Sequence, residues 1–384
     1  MDLLCKYCFW IGLSALAFVY SLYPIISKLL AKYAARSVRY SDNHTPSVSV
    51  ILVVYNEAKR LSERLDNLFA SDYPLESLNI IVVDDGSSDG TEALIVSLAS
   101  PRVHYMRFVD RLGKPARLNA AIAAASADIC ILCDARQTFA PDAIRRLARA
   151  FFDPSVGAVS GELHIAASAS AVGRGIDVYW ARERRLREAE AARHSTIGCT
   201  GAIYAIRRSL FIPLRSDTIL DDVVIPMRIA QQNYRVLHDA RAHAFDSQPL
   251  EPKFEVRRKR RTLAGNFQML FQYPTWLLPW GHPLWWRIIA HKYLRVLAPF
   301  FLCVVAVASL LLCDELFYRY FAIVQVSAYF LGIVGILTKS RVKLLATPAA
   351  FMFLNGVALL AFWDFLCKRA NARWETGTSV KPKV

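Results

Sequence analysis

The sequence predicts an α/β domain built on a mostly parallel sheet, held at a membrane by one N-terminal and about three C-terminal helices. Long uncharged stretches lie near both chain ends, and strand-like runs alternate with helix-like segments between them. Of the 384 residues 54% are hydrophobic, yet the formal net charge is +15. This combination excludes a disordered chain and favours a membrane protein with a basic cytoplasmic face over a nucleic-acid binder.

Four uncharged stretches are each long enough to cross a bilayer core of about 30 Å. They cover residues 9–27, 296–313, 321–338 and 344–363. Lysines and arginines follow the first stretch, so the positive-inside rule predicts an outer N-terminus and a cytoplasmic chain from residue 40 onward. The acidic loop at 314–315 is expected outside and the basic loop at 339–343 inside. Because Pro348 interrupts the last stretch, it either spans or re-enters the membrane, and the side of the C-terminus stays open.

Between residues 46 and 246 the composition is that of one globular domain. Strands are predicted at 47–54, 79–83, 103–108 and 128–133, and helices at 57–70, 88–99, 116–125 and 141–152. Such alternation predicts a parallel sheet covered by helices, and these sheets bind ligands at the carboxyl ends of their strands. Six polar residues follow strand ends and so predict a site: Tyr55, Asn56, Glu57, Asp84, Asp85 and Asp134.

Seven segments of the chain form a series of motifs: VYNEAKR at 54–60, VVDDGSSDGT at 82–91, GKPARLNAA at 113–121, ILCDARQ at 131–137, GCTGAIYAIRRSL at 198–210, ILDDVVIPMRI at 219–229 and RRKRRTLAGNFQ at 257–268. In order and spacing they resemble the motifs of family 2 glycosyltransferases, which are inverting enzymes with the GT-A fold. The likeness covers most of residues 47–270. With the helices at both ends, the chain also resembles the membrane-bound polysaccharide synthases of that family.

The resemblance implies a nucleotide-sugar donor and assigns residues to it. Asp84 and Asp85 would accept hydrogen bonds from the base and the ribose, and Lys114 would pair with the diphosphate. Tyr55, Asn56 and Glu57 would contact the nucleotide. Turn geometry is the alternative for the two aspartates, and capping of the following helix is the alternative for Asn56 and Glu57.

The segment Asp134-Ala135-Arg136 departs from the family pattern Asp-x-Asp, whose last carboxylate commonly holds Mg²⁺ or Mn²⁺. A divalent metal is still expected at Asp134, although the cation at position 136 would weaken its binding. Arg136 could instead pair with the diphosphate and partly replace the metal. The third alternative is that Arg136 points away into an ion pair.

Two further segments are assigned to the acceptor side. In the pair Asp221-Asp222, the second residue resembles the family's catalytic base and the first supports it; the alternative is capping of a helix at 223–232. The run of five cations at 257–261 is a degraded form of the signature Gln-x-x-Arg-Trp. Arg258 and Arg261 would contact donor or acceptor, or the run lies on lipid headgroups. The missing Trp leaves processive synthesis open.

These expectations describe an integral membrane protein of a bacterial inner membrane with a cytoplasmic catalytic domain. It would move a sugar from a nucleotide-diphosphate sugar to a growing polysaccharide or a lipid-linked glycan. The alternatives are single-sugar transfer to polyprenyl phosphate or a glycolipid, and an inactive nucleotide-binding homologue. Expected partners are the donor, the acceptor and membrane lipids; nucleic acid is not, because no recognition motif accompanies the charge.

The predicted organisation has five parts. Residues 1–40 form an anchor, 46–246 the transferase domain, 247–295 a basic and aromatic interfacial segment, 296–367 the C-terminal helices and 368–384 a polar tail. A charged helix is also expected at 182–193, with Glu183 and Arg187 as a surface ion pair.

Overall fold

The computed structural model describes residues 2–98, 100–165, 171–246, 252–338 and 342–373, with side chains except at 171–180 and 252–255. Residues 339–341 of the predicted basic loop at 339–343 and most of the predicted polar tail lie outside the described residues. The strands are β1 Val48–Val54, β2 Leu78–Asp85, β3 Val103–Phe108, β4 Ile129–Cys133, β5 Thr138–Phe139, β6 Val156–Ile165, β7 Ile203–Arg207 and β8 Arg235–Asp246. The helices are α1 Asp2–Ala17, α2 Tyr23–Tyr33, α3 Ala58–Phe69, α4 Thr91–Leu98, α5 Lys114–Ala124, α6 Ala143–Ala148, α7 Ala171–Arg193, α8 Asp221–Gln231, α9 Pro252–Gln272, α10 Trp285–Arg287, α11 Leu294–Leu311, α12 Leu316–Thr338 and α13 Lys343–Leu366.

The strands form one sheet in the order β3-β2-β1-β4-β7-β6-β8-β5. The first four are mutually parallel, as predicted, and β1 is buried along its whole length because helices cover both faces. β7 then runs antiparallel to both β4 and β6. The prediction of a mostly parallel α/β sheet is therefore confirmed, and the second half of the sheet adds a mixed extension to it.

The register of the parallel strands brings the predicted polar clusters to one edge. Val54 at the end of β1 pairs with Asp84 of β2, and Leu52 pairs with Cys133 at the end of β4. The residues that follow these strand ends therefore emerge side by side. This placement is what the alternating pattern of strands and helices predicts.

Helices α4 and α6 differ from the sequence prediction because of local capping and turn geometry. The helix expected at 88–99 begins at Thr91, because Oδ1 of Asp89 accepts hydrogen bonds from both the backbone nitrogen and the hydroxyl of Thr91. The helix expected at 141–152 is α6 followed by a 3₁₀ turn at Arg149–Phe152.

Four helical segments are long and apolar enough to cross a membrane: Asp2–Tyr33, Trp285–Leu311, Leu316–Thr338 and Lys343–Leu366. This confirms the expected one N-terminal and three C-terminal segments. In the first, a π-helical turn at Phe18–Leu22 joins α1 to α2. Lys6 forms an ion pair of 2.5 Å with Glu315, so the start of α1 and the α11–α12 turn lie at the same end of the helices. After α2 the chain reaches the sheet domain, where the backbone nitrogen of Arg36 donates to Ala192.

The C-terminal end of α13 lies against the sheet domain and not beside Lys6. Asp364 near its end is bound by Arg260 of α9 at 2.6 Å. Beyond α13, the backbone of Ala372 lies against Gly113, 3.4 Å from where a Cβ atom would be. α13 itself is one continuous helix from Lys343 to Leu366, and the chain after it lies beside Gly113 of the sheet domain. Whether the last segment spans or re-enters the membrane stays a prediction.

Candidate functional site

Lys114 is the centre of the charged cluster at the strand edge. Gly113, with a φ of +94°, turns the chain so that α5 begins at Lys114. The Lys114 Nζ atom lies 2.9 Å from Oδ1 of Asp134 and 3.4 Å from Oδ2 of Asp221. Burial alone would lower the pKa of Lys114, but the carboxylates of Asp134 and Asp221 outweigh it and hold the pKa above its usual value. Lys114 therefore stays protonated, and its ammonium group is paired with two carboxylates.

Asp222 lies beside this cluster in the first turn of α8. The helix is preceded by Leu220 and has no side-chain capping hydrogen bond, so capping does not account for the two aspartates. Burial and the neighbouring Asp221 carboxylate raise the pKa of Asp222 to about 6, although Lys292 and Lys114 act in the opposite direction. A carboxylate whose pKa lies this close to neutral is suited to accept a proton in catalysis.

The motif at 198–201 makes room for Asp222. Gly198 has a φ of +77°, and the backbone nitrogen of Cys199 donates to the Asp222 carbonyl at 2.7 Å. A Cβ atom on Gly201 would lie 3.1 Å from Oδ2 of Asp222. The two glycines thus allow the loop to pass close to the carboxylate. The motif is visible in the sequence, but its contact with Asp222 is not.

Asp84 and Asp85 are buried and already accept hydrogen bonds from the protein. Asp84 accepts from the Ser87 backbone nitrogen and the Tyr105 hydroxyl, both at 2.8 Å. Oδ1 of Asp85 accepts from Nε of Arg117 at 2.6 Å, and Oδ2 accepts from the Gly113 nitrogen at 2.9 Å. Asp85 therefore fixes the loop that leads to Lys114, a positioning role that the sequence did not indicate. Contact of either carboxylate with the nucleotide stays a prediction.

The segment after β1 is tied to the segment after β2. The Asn56 backbone nitrogen donates to the Ser87 hydroxyl, and Oδ1 of Asn56 accepts from the Ser88 nitrogen, both at 2.8 Å. Glu57 precedes α3 without a side-chain capping bond and instead pairs with Arg60 at 3.2 Å. The capping alternative for these residues is therefore wrong.

The Tyr55 ring forms a cation–π contact with Arg111. The Arg111 guanidinium carbon lies 3.7 Å from the centre of the Tyr55 ring. Both side chains are half-buried at the strand edge. The sequence motif at 54–60 contains Tyr55 but gives no indication of its contact with Arg111.

Arg136 forms an ion pair with Asp246 at the end of β8, and Gln137 also donates to Asp246 at 3.2 Å. Of the alternatives for Arg136, the structure shows the third, in which its side chain points away into an ion pair. Arg136 is thereby neutralised, and Asp134, with 45% of its side chain exposed, is the accessible carboxylate of the motif. Within the described ranges, no group of three Asp, Glu, His or Cys side chains could hold a metal ion.

Of the two predicted contacts in the cationic run, Arg261 binds the chain after α13. Its Nε atom donates to the Asn371 carbonyl at 3.2 Å, and the following Ala372 lies against Gly113. Residues 371–373 therefore connect Arg261 to Gly113, the residue before Lys114. Contact of Arg258 or Arg261 with donor or acceptor stays a prediction.

The expected surface pair of Glu183 and Arg187 is wrong in its setting, because Glu183 is only 6% exposed. Glu183 lies 3.7 Å from Arg187 and 2.6 Å from His291, whose other ring nitrogen lies 2.8 Å from Glu190. His291 is over a hundred residues away in sequence, so no local pattern could reveal the network. The positive charge of Arg187 also lowers the pKa of Asp222, and so opposes the larger effects of burial and Asp221.

Fold and site together define a GT-A-like domain with a charged strand edge, joined to membrane-type helices. Residues 49–214 match the family described as Glycosyl transferase family 2. The chain therefore contains a domain of glycosyl transferase family 2.

Similar proteins agree with this assignment. An N-acetylglucosaminyltransferase of Rhizobium sp. (strain N33) is 33% identical over 202 residues, which are 51% of this chain and 43% of the relative. A poly-beta-1,6-N-acetyl-D-glucosamine synthase of Staphylococcus aureus (strain COL) is 26% identical over 233 residues, 57% of this chain and 56% of the relative. The chain thus spans only about half the length of the curated relatives it matches.

One solved structure has the same fold over nearly the whole chain. It is the mannosyltransferase PcManGT from Pyrobaculum calidifontis in complex with GDP-Man and Mn²⁺, with a TM-score of 0.72 and 23% identity. The likeness covers 94% of this chain and 99% of that one, so it includes the helices on both sides of the sheet domain.

Proposed function

We propose that this protein is an inverting glycosyltransferase that uses a nucleotide-diphosphate sugar and acts at the cytoplasmic face of a bacterial inner membrane. The acceptor is a growing polysaccharide or a lipid-linked glycan. The observation that carries the proposal is the placement of Asp222, a carboxylate with a pKa of about 6, in the same cluster as the Lys114 ammonium group. A proton acceptor and a diphosphate-binding cation are the two groups that this transfer needs.

In the proposed reaction, Asp222 accepts the proton of the attacking acceptor hydroxyl. The hydroxyl oxygen forms a bond to the anomeric carbon of the donor sugar, and the bond from that carbon to the diphosphate oxygen breaks with both electrons leaving on the nucleotide diphosphate. Attack and departure on opposite faces invert the anomeric centre. Lys114 stabilises the leaving diphosphate, and Asp221 holds Lys114 in place at 3.4 Å.

The donor is proposed to carry an N-acetylhexosamine. Its support is the pair of relatives named as an N-acetylglucosaminyltransferase and a poly-N-acetylglucosamine synthase. The stacked Tyr55 and Arg111 form a flat surface at the strand edge against which the nucleotide base can lie.

A divalent metal, Mg²⁺ or Mn²⁺, is part of the proposal. Asp134 supplies one accessible carboxylate, and Mg²⁺ in transfer enzymes is commonly held by one or two carboxylates together with substrate phosphates. The residues present therefore fit a metal that binds with the donor and not before it. When bound, the metal would neutralise charge on the diphosphate.

The sequence lacks the Trp of the family signature, so it does not decide between polymer synthesis and the addition of one sugar. Single-sugar transfer to polyprenyl phosphate or a glycolipid remains the alternative. Product length separates them: a ladder on a gel indicates polymer synthesis, whereas label that is extracted completely into chloroform indicates a single addition to a lipid.

The experiment that tests the proposal is a screen of radiolabelled nucleotide sugars on membranes that contain the protein, with the Asp222→Asn variant beside it. The variant should keep donor binding and lose transfer by about 10²-fold or more, because the base is removed. Asp66→Asn is the matched control, since Asp66 is exposed on α3 away from the cluster. Retained turnover in Asp222→Asn would reject the assignment, and binding without any transfer by the unmodified protein would indicate an inactive homologue.

A further inference from the structure

A cavity of about 330 Å³ lies where the first two candidate membrane spans reach the sheet domain. Its lining includes the apolar side chains of Leu30 on α2 and Trp286 on α10. It also includes three arginines, Arg36, Arg193 and Arg287. The cavity thus combines apolar and cationic side chains, and no residue of the Lys114 cluster lines it.

No carboxylate balances these arginines within the cavity. None of the lining residues is acidic. Arg287, which is 4% exposed, donates to the backbone carbonyls of Glu190 and Ser195. The Glu190 carboxylate is itself bound by Tyr23 and His291. The three guanidinium groups therefore leave a net positive charge in a partly buried space.

His194 also lines the cavity, and the positive charge of the arginines affects its pKa. Burial together with the positive charges of Arg287, Arg36 and other arginines lowers the pKa of His194 to about 4. The imidazole is therefore neutral at physiological pH, and it offers a polar group without further charge. The positive charge of the lining therefore comes from the arginines alone.

We propose that this cavity binds the phosphate group of a membrane lipid. The guanidinium groups of Arg36 and Arg193 would bind the phosphate oxygens, and Leu30 and Trp286 would contact the first carbons of the lipid chains. Basic pockets between membrane helices on the cytoplasmic side are characteristic of anionic headgroup binding. Neither guanidinium forms an ion pair among the described residues, so no internal partner must be displaced. The inference does not depend on the proposed sugar transfer.

Lipid retention by the full chain in neutral phosphatidylcholine nanodiscs tests the proposal. Three preparations are compared: nanodiscs with a small fraction of phosphatidylglycerol, nanodiscs with a small fraction of polyprenyl phosphate, and undoped nanodiscs with inorganic phosphate in the buffer. Native mass spectrometry measures the ligand that the protein retains. Arg36→Ala and Arg193→Ala should each lower retention roughly fivefold, which corresponds to the free energy of about 1 kcal/mol per arginine near a membrane surface. The double variant should lower it further.

Lys28→Ala is the matched control, because Lys28 is an exposed cation on α2 that does not line the cavity. It should retain as much lipid as the unmodified chain. Retention of phosphatidylglycerol identifies a bulk phospholipid, and retention of polyprenyl phosphate alone identifies an acceptor-type lipid. Equal loss in Lys28→Ala, retention of inorganic phosphate as strong as that of either lipid, or no retention at all would each overturn the proposal.

Discussion

The Nζ atom of Lys114 lies 2.9 Å from Oδ1 of Asp134. The carboxylate that would hold a metal is thus already paired with an ammonium group, while the other position of the motif carries a neutralised arginine. Before the donor arrives, a metal therefore has only one accessible carboxylate, and that carboxylate is shared with Lys114.

Metal binding should accordingly depend on the nucleotide. We expect the protein to bind Mn²⁺ weakly alone and more tightly with UDP, because diphosphate oxygens complete the ligand set around Asp134. Paramagnetic resonance of free Mn²⁺ measures this directly. Transfer should stop in excess chelator and return with Mg²⁺ or Mn²⁺; full activity in chelator would contradict the metal, and the Asp134→Asn variant should lose the nucleotide-dependent binding.

The pH dependence of transfer should follow Asp222. Its pKa is raised to about 6, so the carboxylate becomes protonated below that pH and can no longer accept a proton. We expect kcat/KM to fall about tenfold per pH unit below pH 6 and to level off above it. The Lys114 pKa is raised further above neutrality, so Lys114 stays charged throughout.

The control for the pH profile is donor binding. A non-transferable donor analogue should bind with nearly constant affinity across the same range, since Lys114 does not titrate there. A profile with no fall in kcat/KM near pH 6 would show that Asp222 is not the base. A parallel loss of analogue binding would instead place the titrating group in the donor site.

The sequence predicted the elements and the strand edge well because both follow from local patterns. The strand Val103–Phe108 has the predicted bounds, and Lys114 and Asp134 meet because their segments end at one edge of the sheet. The roles of individual carboxylates were less predictable. Asp85 follows its strand as expected, but its partner Arg117 comes from the next helix, and nothing in the local motif indicates that contact.

Asp85→Asn should destabilise the protein as well as weaken donor binding. The Asp85 and Arg117 side chains are 0% and 4% exposed, and removing one partner of a buried ion pair costs about 3–5 kcal/mol. Thermal unfolding and analogue binding measure the two effects. Asp110→Asn is the control, since the exposed Asp110 contacts Arg117 only through its backbone carbonyl. Lost binding with unchanged stability would make Asp85 a direct nucleotide ligand.

Gly201→Ala should lower kcat with little change in the donor KM. The added Cβ would lie 3.1 Å from Oδ2 of Asp222, so the carboxylate must shift by a few tenths of an ångström. Such a shift should lower kcat by about tenfold, since a displacement of about 1 Å can cost 10²-fold. Gly356→Ala is the matched control, because nothing lies within 4 Å of a Cβ there. An unchanged kcat would mean that Asp222 tolerates the displacement.

The chain after α13 should lie on the same side of the membrane as the sheet domain, because Arg261 binds the Asn371 carbonyl and Ala372 lies against Gly113. Two native cysteines test this. Cys313 is exposed beside the α11–α12 turn, and Cys367 is exposed at the end of α13. With the N-terminus outside, an impermeant maleimide should label Cys313 in intact cells and Cys367 only after permeabilisation.

For this assay, each variant must contain only one reactive cysteine, either Cys313 or Cys367. Cys5, Cys8 and Cys303 are replaced by serine together with one of the two reporters, whereas the three buried thiols are retained: Cys130, Cys133 and Cys199. Burial raises the pKa of the Cys130 thiol to about 12, so it does not react under labelling conditions. Labelling of Cys367 in intact cells would mean that α13 spans the membrane and that its contacts with α9 do not form there.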